Sequence, residues 1–211
     1  MSRWKQFLPK RTRDLVQLAA HARRQFVTNG WWRSYRAKRP IDREGNPLPW
    51  MTYSFIDFIT PRLKPNLRVF EFGMGNSTLW WAQHCATVDC VENNRVWLDN
   101  LTARIPPNVR AVYAEVDSAA YVEGAKNTGH EFDIIVVDGR RRNECAVQSL
   151  SSLSGVGVFV WDNSERVRYA EGQQALIAHG FRRIDFAGRG PQLTRRWQTS
   201  IFYRDGNCLA I

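Results

Sequence analysis

Two acidic strand ends flank a glycine turn in this sequence, and together they outline a ligand site. Val69 and Phe70 lead into Glu71, a turn carrying Gly73 and Gly75 follows, and Asn76, Ser77 and Thr78 come next. The order reads as a buried strand, a glycine loop and a helix. Glycines let a ligand approach the main chain. Asn, Ser and Thr favour helix starts, and Leu79, Trp80, Trp81 and Ala82 continue the helix. The free N–H groups of a helix start attract a carboxylate or phosphate, so a nucleotide-type ligand is expected here. A dinucleotide fingerprint would need a third glycine where this chain has Thr78. Glu71 suits an ammonium group, which a dinucleotide lacks. About twenty residues on, the spacing at which such folds hold a ribose, the stretch Thr87 to Val91 forms a second strand ending in Glu92. Glu92 is placed to bind both ribose hydroxyls.

A ligand with an amino-acid end and a ribose end is S-adenosylmethionine. These stretches resemble the class I S-adenosylmethionine-dependent methyltransferases, whose glycine motif reads E/D-x-G-x-G and whose second strand ends in an acidic residue. The resemblance covers roughly residues 65 to 205. It implies that Glu71, Gly73, Gly75, Asn76, Ser77 and Glu92 hold the cofactor, with Asp138 on the cofactor side. Related enzymes contact adenine at the end of the third strand, here Glu115-Val-Asp117-Ser118, which implies Asp117. A simple chain turn is the alternative.

Two further strands end in oxygen-bearing side chains, Val136-Val-Asp138-Gly and Val160-Trp-Asp162-Asn163. Two carboxylates and an amide oxygen at one sheet edge form a hard-oxygen set suited to Mg²⁺. Helix capping by Asp162-Asn163-Ser164 is the plainer alternative. The set looks like that of metal-dependent O-methyltransferases of the catechol and caffeoyl-coenzyme A type, and the resemblance implies metal ligands at Asp138, Asp162 and Asn163. Asp138, Asp162 and Arg140 are then the expected catalytic residues. Those enzymes carry a lysine near the first metal Asp as candidate base, whereas this chain has Arg140, Arg141 and Arg142. Arginine keeps its proton near neutral pH, so these side chains suit an anionic acceptor. His130 and Glu165 remain as candidates for the base. Strings such as Pro47-Leu-Pro-Trp50 and Thr199-Ser-Ile-Phe-Tyr-Arg204 also look like a bacterial group of small methyltransferases of uncertain substrate.

The elements that must carry these residues alternate between strand and helix, which predicts a parallel sheet with ligands at the strand C-terminal edges. Expected strands after the first two are Val109 to Val116, Phe132 to Val137, Val156 to Trp161, Phe181 to Phe186 and Thr199 to Arg204. Helices are expected over Met51 to Leu63, Arg95 to Ala103 and Glu171 to His179, the last capped by Gly180. The resulting fold class is α/β, a Rossmann-like seven-stranded methyltransferase fold, mostly parallel with an antiparallel last strand.

The chain has 211 residues, 44% of them hydrophobic, and a net charge of +10. Residues 1–40 hold eleven Lys or Arg and the single acid Asp14, while the rest is balanced at 19 of each sign. The expected division is therefore a basic leader, 1–40, and a methyltransferase domain, 41–211. In the leader, Leu15, Leu18, Ala19, Ala22 and Phe26 fall at helical spacing among arginines, with Trp4, Trp31 and Trp32 nearby. A lid packed on the body, an anchor at an anionic membrane surface and an RNA-contacting arm are the competing readings. No run of about eighteen apolar residues exists, and charges occupy the place of a signal peptide's apolar centre. The expected location is the cytoplasm, with peripheral attachment at the inner membrane surface. Cys85, Cys90, Cys145 and Cys208 lack zinc spacing and are expected as reduced thiols. The leading expectation is methylation of a hydroxyl on a saccharide or other small polar acceptor, assisted by Mg²⁺. RNA methylation and a non-catalytic cofactor-binding scaffold are the alternatives.

Overall fold

The computed structural model describes residues 9–211, apart from the side chains of residues 21, 22 and 24–26. Trp4 lies outside the described residues, as do the side chains of Ala22, Arg24 and Phe26. The strands are β1 (Arg68–Phe72), β2 (Thr87–Glu92), β3 (Val109–Tyr113), β4 (Phe132–Val137), β5 (Leu153–Asp162), β6 (Arg182–Gly188) and β7 (Trp197–Tyr203). They form one sheet in the order β3-β2-β1-β4-β5-β7-β6. The first five pair in parallel, and β7 runs antiparallel between β5 and β6. This is the expected fold class.

Burial on both faces explains why the central strands read as unbroken apolar runs. Val69, Ile134 and Val136 face Phe55, Ile59, Trp80 and Trp81. Their sequence neighbours Phe70, Phe72, Ile135 and Val137 face Tyr121, Cys145 and Leu176. Side chains alternate across a strand, so helices are needed on both sides. The first face is covered from α3 (Tyr53–Ile59), α4 (Asn76–His84) and α5 (Arg95–Thr102). The second is covered from α6 (Ala119–Val122), α7 (Arg142–Gln148) and α8 (Ala170–Ala178). All four cysteines are free and buried.

Element ends depart from expectation where local hydrogen bonds decide them. Strand β3 stops at Tyr113, not Val116, because Ser118 turns the chain through its N–H to the Glu115 carbonyl at 3.0 Å and then caps α6. Helix α3 ends at Ile59, and Pro61 sits in a tighter single turn, Thr60–Arg62, in place of further α-helix. Strand β5 begins earlier, at Leu153.

The basic leader forms α1 (Lys10–Thr28) and α2 (Trp31–Ala37). The described side chains of α1 do not pack as a lid: Leu15 and Leu18 are 65% and 67% exposed. Helix α2, in contrast, is fastened to the body. Trp31 Nε1 donates to the Leu193 carbonyl at 3.0 Å, Ser34 Oγ bonds the main chain of Ile41, and Asn76 Nδ2 donates to the Pro40 carbonyl at 2.5 Å. These contacts cross the expected division at residue 40. No helix among the described residues is long and apolar enough to cross a membrane.

Candidate active site

The C-terminal ends of β1, β2, β4 and β5 meet at one sheet edge, and a cavity of about 440 Å³ opens there. Glu71, Gly73, Gly75, Asn76, Ser77 and Glu92 line one part of it, and Asp138 and Arg140 line another. The structure thus brings seven of the eight proposed cofactor residues together. Asp117 is the exception: it is exposed, does not line this cavity, and lies near Arg141.

Each wall residue is held for a reason found in the local sequence. Gly73 adopts φ +95°, a left-handed conformation that side chains disfavour, and this lets its N–H reach the Val91 carbonyl at 2.9 Å. Gly75 is different, since its φ of −173° is extended and open to any residue. What glycine supplies there is space: no atom lies closer than 3.8 Å to where a Cβ would sit.

Glu71 is buried under the start of α4 and accepts a hydrogen bond from the Thr78 hydroxyl. Thr78 Oγ1 also accepts the Gly75 N–H at 3.0 Å. The residue that breaks the dinucleotide fingerprint therefore ties strand to loop. Burial pushes the Glu71 carboxyl up to about 8, the Ser77 and Thr78 hydroxyls oppose that rise, and the charges of Asp138 and Glu92 add to it. A cation brought beside it would favour the charged form. Glu92 accepts the Met74 N–H at 3.0 Å on one oxygen and the Asn94 N–H at 2.7 Å on the other, so it shapes the loop as well as the cavity.

The β4 and β5 ends are organised by a buried arginine. Arg142, 7% exposed, donates to Asp138 Oδ1 at 2.9 Å, to the Asp138 carbonyl at 3.1 Å, to the Gly139 carbonyl at 3.0 Å and to the Asp162 carbonyl. Burial raises the Asp138 carboxyl and Arg142 pulls it back down. Asp162 Oδ1 accepts from Trp197 Nε1 at 3.0 Å and from Thr199 Oγ1 at 2.7 Å, which locks β5 to β7. Burial and the nearby Asp138 push its carboxyl above the usual carboxylate range. Asp162 does not cap a helix, and Asn163 takes a left-handed φ of 53°.

Asp138, Asp162 and Asn163 do line one smaller cavity of about 150 Å³. Their fit to Mg²⁺ is poor: one oxygen of Asp138 is paired with a guanidinium, and one oxygen of Asp162 already accepts two donors. Among the described residues no group of three or more His, Cys, Asp or Glu side chains is placed to hold a metal. The Mg²⁺ expectation finds no support in this arrangement.

The two candidate bases lie elsewhere. His130 is exposed before β4, at the opposite end of that strand from Asp138. Glu165 accepts the Gln198 N–H at 3.0 Å and lines none of these cavities. Of the three consecutive arginines, Arg141 pairs with Glu144 and Arg142 with Asp138, leaving Arg140 open to the cavity.

Sequence reasoning did not place Trp97, Tyr169, Arg166, Arg168 or Gln192 at this site. Arg166, Arg168, Tyr169 and Gln192 come from connections whose course only the packed fold reveals. Trp97 had a readable signal in Asn94, whose side chain caps α5 at the Trp97 N–H, 3.0 Å away, and so directs Trp97 Nε1 to the Met74 carbonyl at 2.6 Å.

Neither a family model nor a curated protein matches the sequence. Solved structures do match the fold. A precorrin-6y C5,15-methyltransferase from Geobacter metallireducens is 16% identical, with a TM-score of 0.56 over 72% of this chain and 87% of its own. A caffeoyl-CoA O-methyltransferase-like protein from Staphylococcus aureus is also 16% identical at TM-score 0.56, over 93% of this chain and all of its own. A methyltransferase-like protein from Silicibacter pomeroyi is 19% identical, with a TM-score of 0.51 over 75% and 90%. With its strand order, its antiparallel β7 and a glycine loop after β1, this chain has the class I methyltransferase fold.

Proposed function

We propose that the protein transfers a methyl group from S-adenosylmethionine to a hydroxyl oxygen of a saccharide or another small polar acceptor. The observation that carries this reading is the shared cavity: Glu71 and Glu92, suited to an ammonium group and a ribose, face the same space as Asp138. Gly73, Gly75, Asn76 and Ser77 complete the cofactor side. When bound, S-adenosylmethionine supplies an electrophilic methyl carbon on a sulfonium.

Asp138 lines both the main cavity and the smaller one beyond it, which supports it as the point where an acceptor would meet the cofactor. Arg142 fixes its Oδ1, and among the described residues no hydrogen bond engages Oδ2. In the proposed step the acceptor oxygen forms a bond to the methyl carbon and the carbon–sulfur bond breaks, its electron pair staying on sulfur. The hydroxyl proton passes to the free oxygen of Asp138. Orientation contributes much of the rate in such transfers, with reacting atoms held about 3–3.5 Å apart. Arg140 serves as a cation facing the acceptor, and Asp162 holds β5 in place.

Labelled-methyl transfer from S-adenosylmethionine into saccharide acceptors, run with Mg²⁺ and with a chelator, tests the reading. Transfer into oxygen, lost in Asp138→Asn and indifferent to chelation, supports it; transfer into nitrogen or carbon contradicts it. We further propose that α1 rests on an anionic membrane surface in the cytoplasm. What supports this is its exposed Leu15 and Leu18 amid the leader's basic residues.

A further inference from the structure

Basic side chains without acidic partners gather around the acceptor side of the cavity. Among the described residues no carboxylate pairs with Arg39, Arg140, Arg168 or Arg195, and Arg166 comes only within 3.9 Å of Glu165. These five arginines arrive from four parts of the chain. Arg39 follows α2, Arg140 follows β4, Arg166 and Arg168 lie between β5 and α8, and Arg195 joins β6 to β7. All but Arg195 line the main cavity. Arg195 lines the smaller cavity with Asp138, and shares a shallow third one with Arg166 and Arg168.

Like charges converging on a concave wall repel one another and raise the local concentration of anions. The cofactor does not answer this charge. Its sulfonium and ammonium outweigh its single carboxylate, and the cavity walls nearest its proposed seat carry Glu71 and Glu92.

A second observation is independent of charge. Gln192 lines the main cavity with its Nε2 buried and, among the described residues, without a hydrogen-bond partner, and its backbone sits at φ +69°. Buried donors are nearly always satisfied, and left-handed strain in a non-glycine residue tends to persist at ligand sites. This amide is a buried donor that the described residues leave unpaired. Trp50, 44% exposed, lines both cavities with a flat aromatic face suited to a sugar ring.

We infer that the acceptor is a phosphorylated saccharide, with its phosphate or diphosphate held by Arg166, Arg168 and Arg195 and its hydroxyl presented to Asp138. Guanidinium forks match phosphate oxygens in pairs, which Lys or a neutral wall cannot do. Gln192 supplies a further donor to the ligand's oxygens. The inference rests on the methyltransferase reading.

The test is calorimetry on the full chain. S-adenosylhomocysteine is titrated first, and its failure to bind would overturn the methyltransferase reading itself. Inorganic pyrophosphate is then titrated into protein saturated with S-adenosylhomocysteine, at 50 and 200 mM salt. Binding is expected, weakening at least threefold at the higher salt. The double variant R168A/R195A, both exposed positions, should lose tenfold or more in pyrophosphate affinity while keeping its S-adenosylhomocysteine affinity, and Gln192→Leu should lose several-fold. UDP-glucose and glucose 1-phosphate are expected to bind more tightly than pyrophosphate, and their ranking tells a nucleotide-linked source from a simple sugar phosphate. S-adenosylhomocysteine binding without pyrophosphate binding in wild type would overturn the anion inference and leave the methyltransferase reading standing. Pyrophosphate binding unchanged in R168A/R195A, or weaker than binding of glucuronate, would overturn it as well.

Discussion

Replacing Arg142 with Met tests whether a buried guanidinium organises the ends of β4 and β5. The substitution keeps much of the side-chain volume and removes four donor contacts: one to the Asp138 carboxylate and three to the carbonyls of Asp138, Gly139 and Asp162. Arg142 is 7% exposed, so water cannot replace it freely. Breaking a buried pair from one side costs about 3–5 kcal/mol, because the remaining charge is left without a partner. For a chain of this size that corresponds to a fall of roughly 6–20 °C in melting temperature. The second variant, Arg142→Met with Asp138→Asn, removes the stranded charge and should recover a third or more of the loss. Urea denaturation followed by tryptophan fluorescence measures both. A loss under about 1 kcal/mol in the single variant, the range of exposed pairs, would refute the reasoning. So would equal losses in the single and double variants.

Three further outcomes are expected. Burial raises the Glu71 carboxyl to about 8, and burial with the nearby Asp138 raises that of Asp162, so the folded state holds their protons more tightly than the unfolded state does. Stability from these groups is therefore full below pH 4 and falls as pH rises toward 8; denaturation midpoints for Glu71→Gln should decline less over that range than those of wild type. An ammonium-bearing ligand needs Glu71 charged, so S-adenosylhomocysteine should bind more tightly at pH 8 than at pH 6, with proton release visible as a buffer-dependent enthalpy that Glu71→Gln abolishes. Full-length protein should cosediment with anionic vesicles at low salt, at about 1 kcal/mol per engaged basic residue, while a chain starting at Gly30 should not; equal sedimentation would return α1 to another role.

The fold was legible because its central strands are apolar runs ending in acids. Val69 and Phe70 before Glu71, and the run before Asp138, mark strands buried on both faces, and the two-residue periodicity then fixes which face each side chain takes. Glu71, Gly73, Asn76, Ser77 and Glu92 follow directly from those strand ends. Asp117 lies apart from them, since β3 stops at Tyr113 and Asp117 sits in the turn closed by the Ser118 N–H on the Glu115 carbonyl. The role of Arg142 was hidden for another reason: three consecutive arginines look alike in sequence, and only the start of α7 turns the third one inward and the second toward Glu144. The proposed acceptor wall was out of reach because Arg39, Arg166 and Gln192 come to one cavity through connections with no periodic pattern.

The most direct test of the account is a calorimetric titration of S-adenosylhomocysteine into the purified chain, wild type beside Glu92→Gln. One ligand per chain is expected, and the variant should bind roughly 10- to 100-fold more weakly, the loss of a hydrogen bond to a charged group at about 1.5–3 kcal/mol. No heat of binding in the wild type, or equal affinity in the variant, would contradict the claim that Glu71, the glycine loop and Glu92 form a cofactor site.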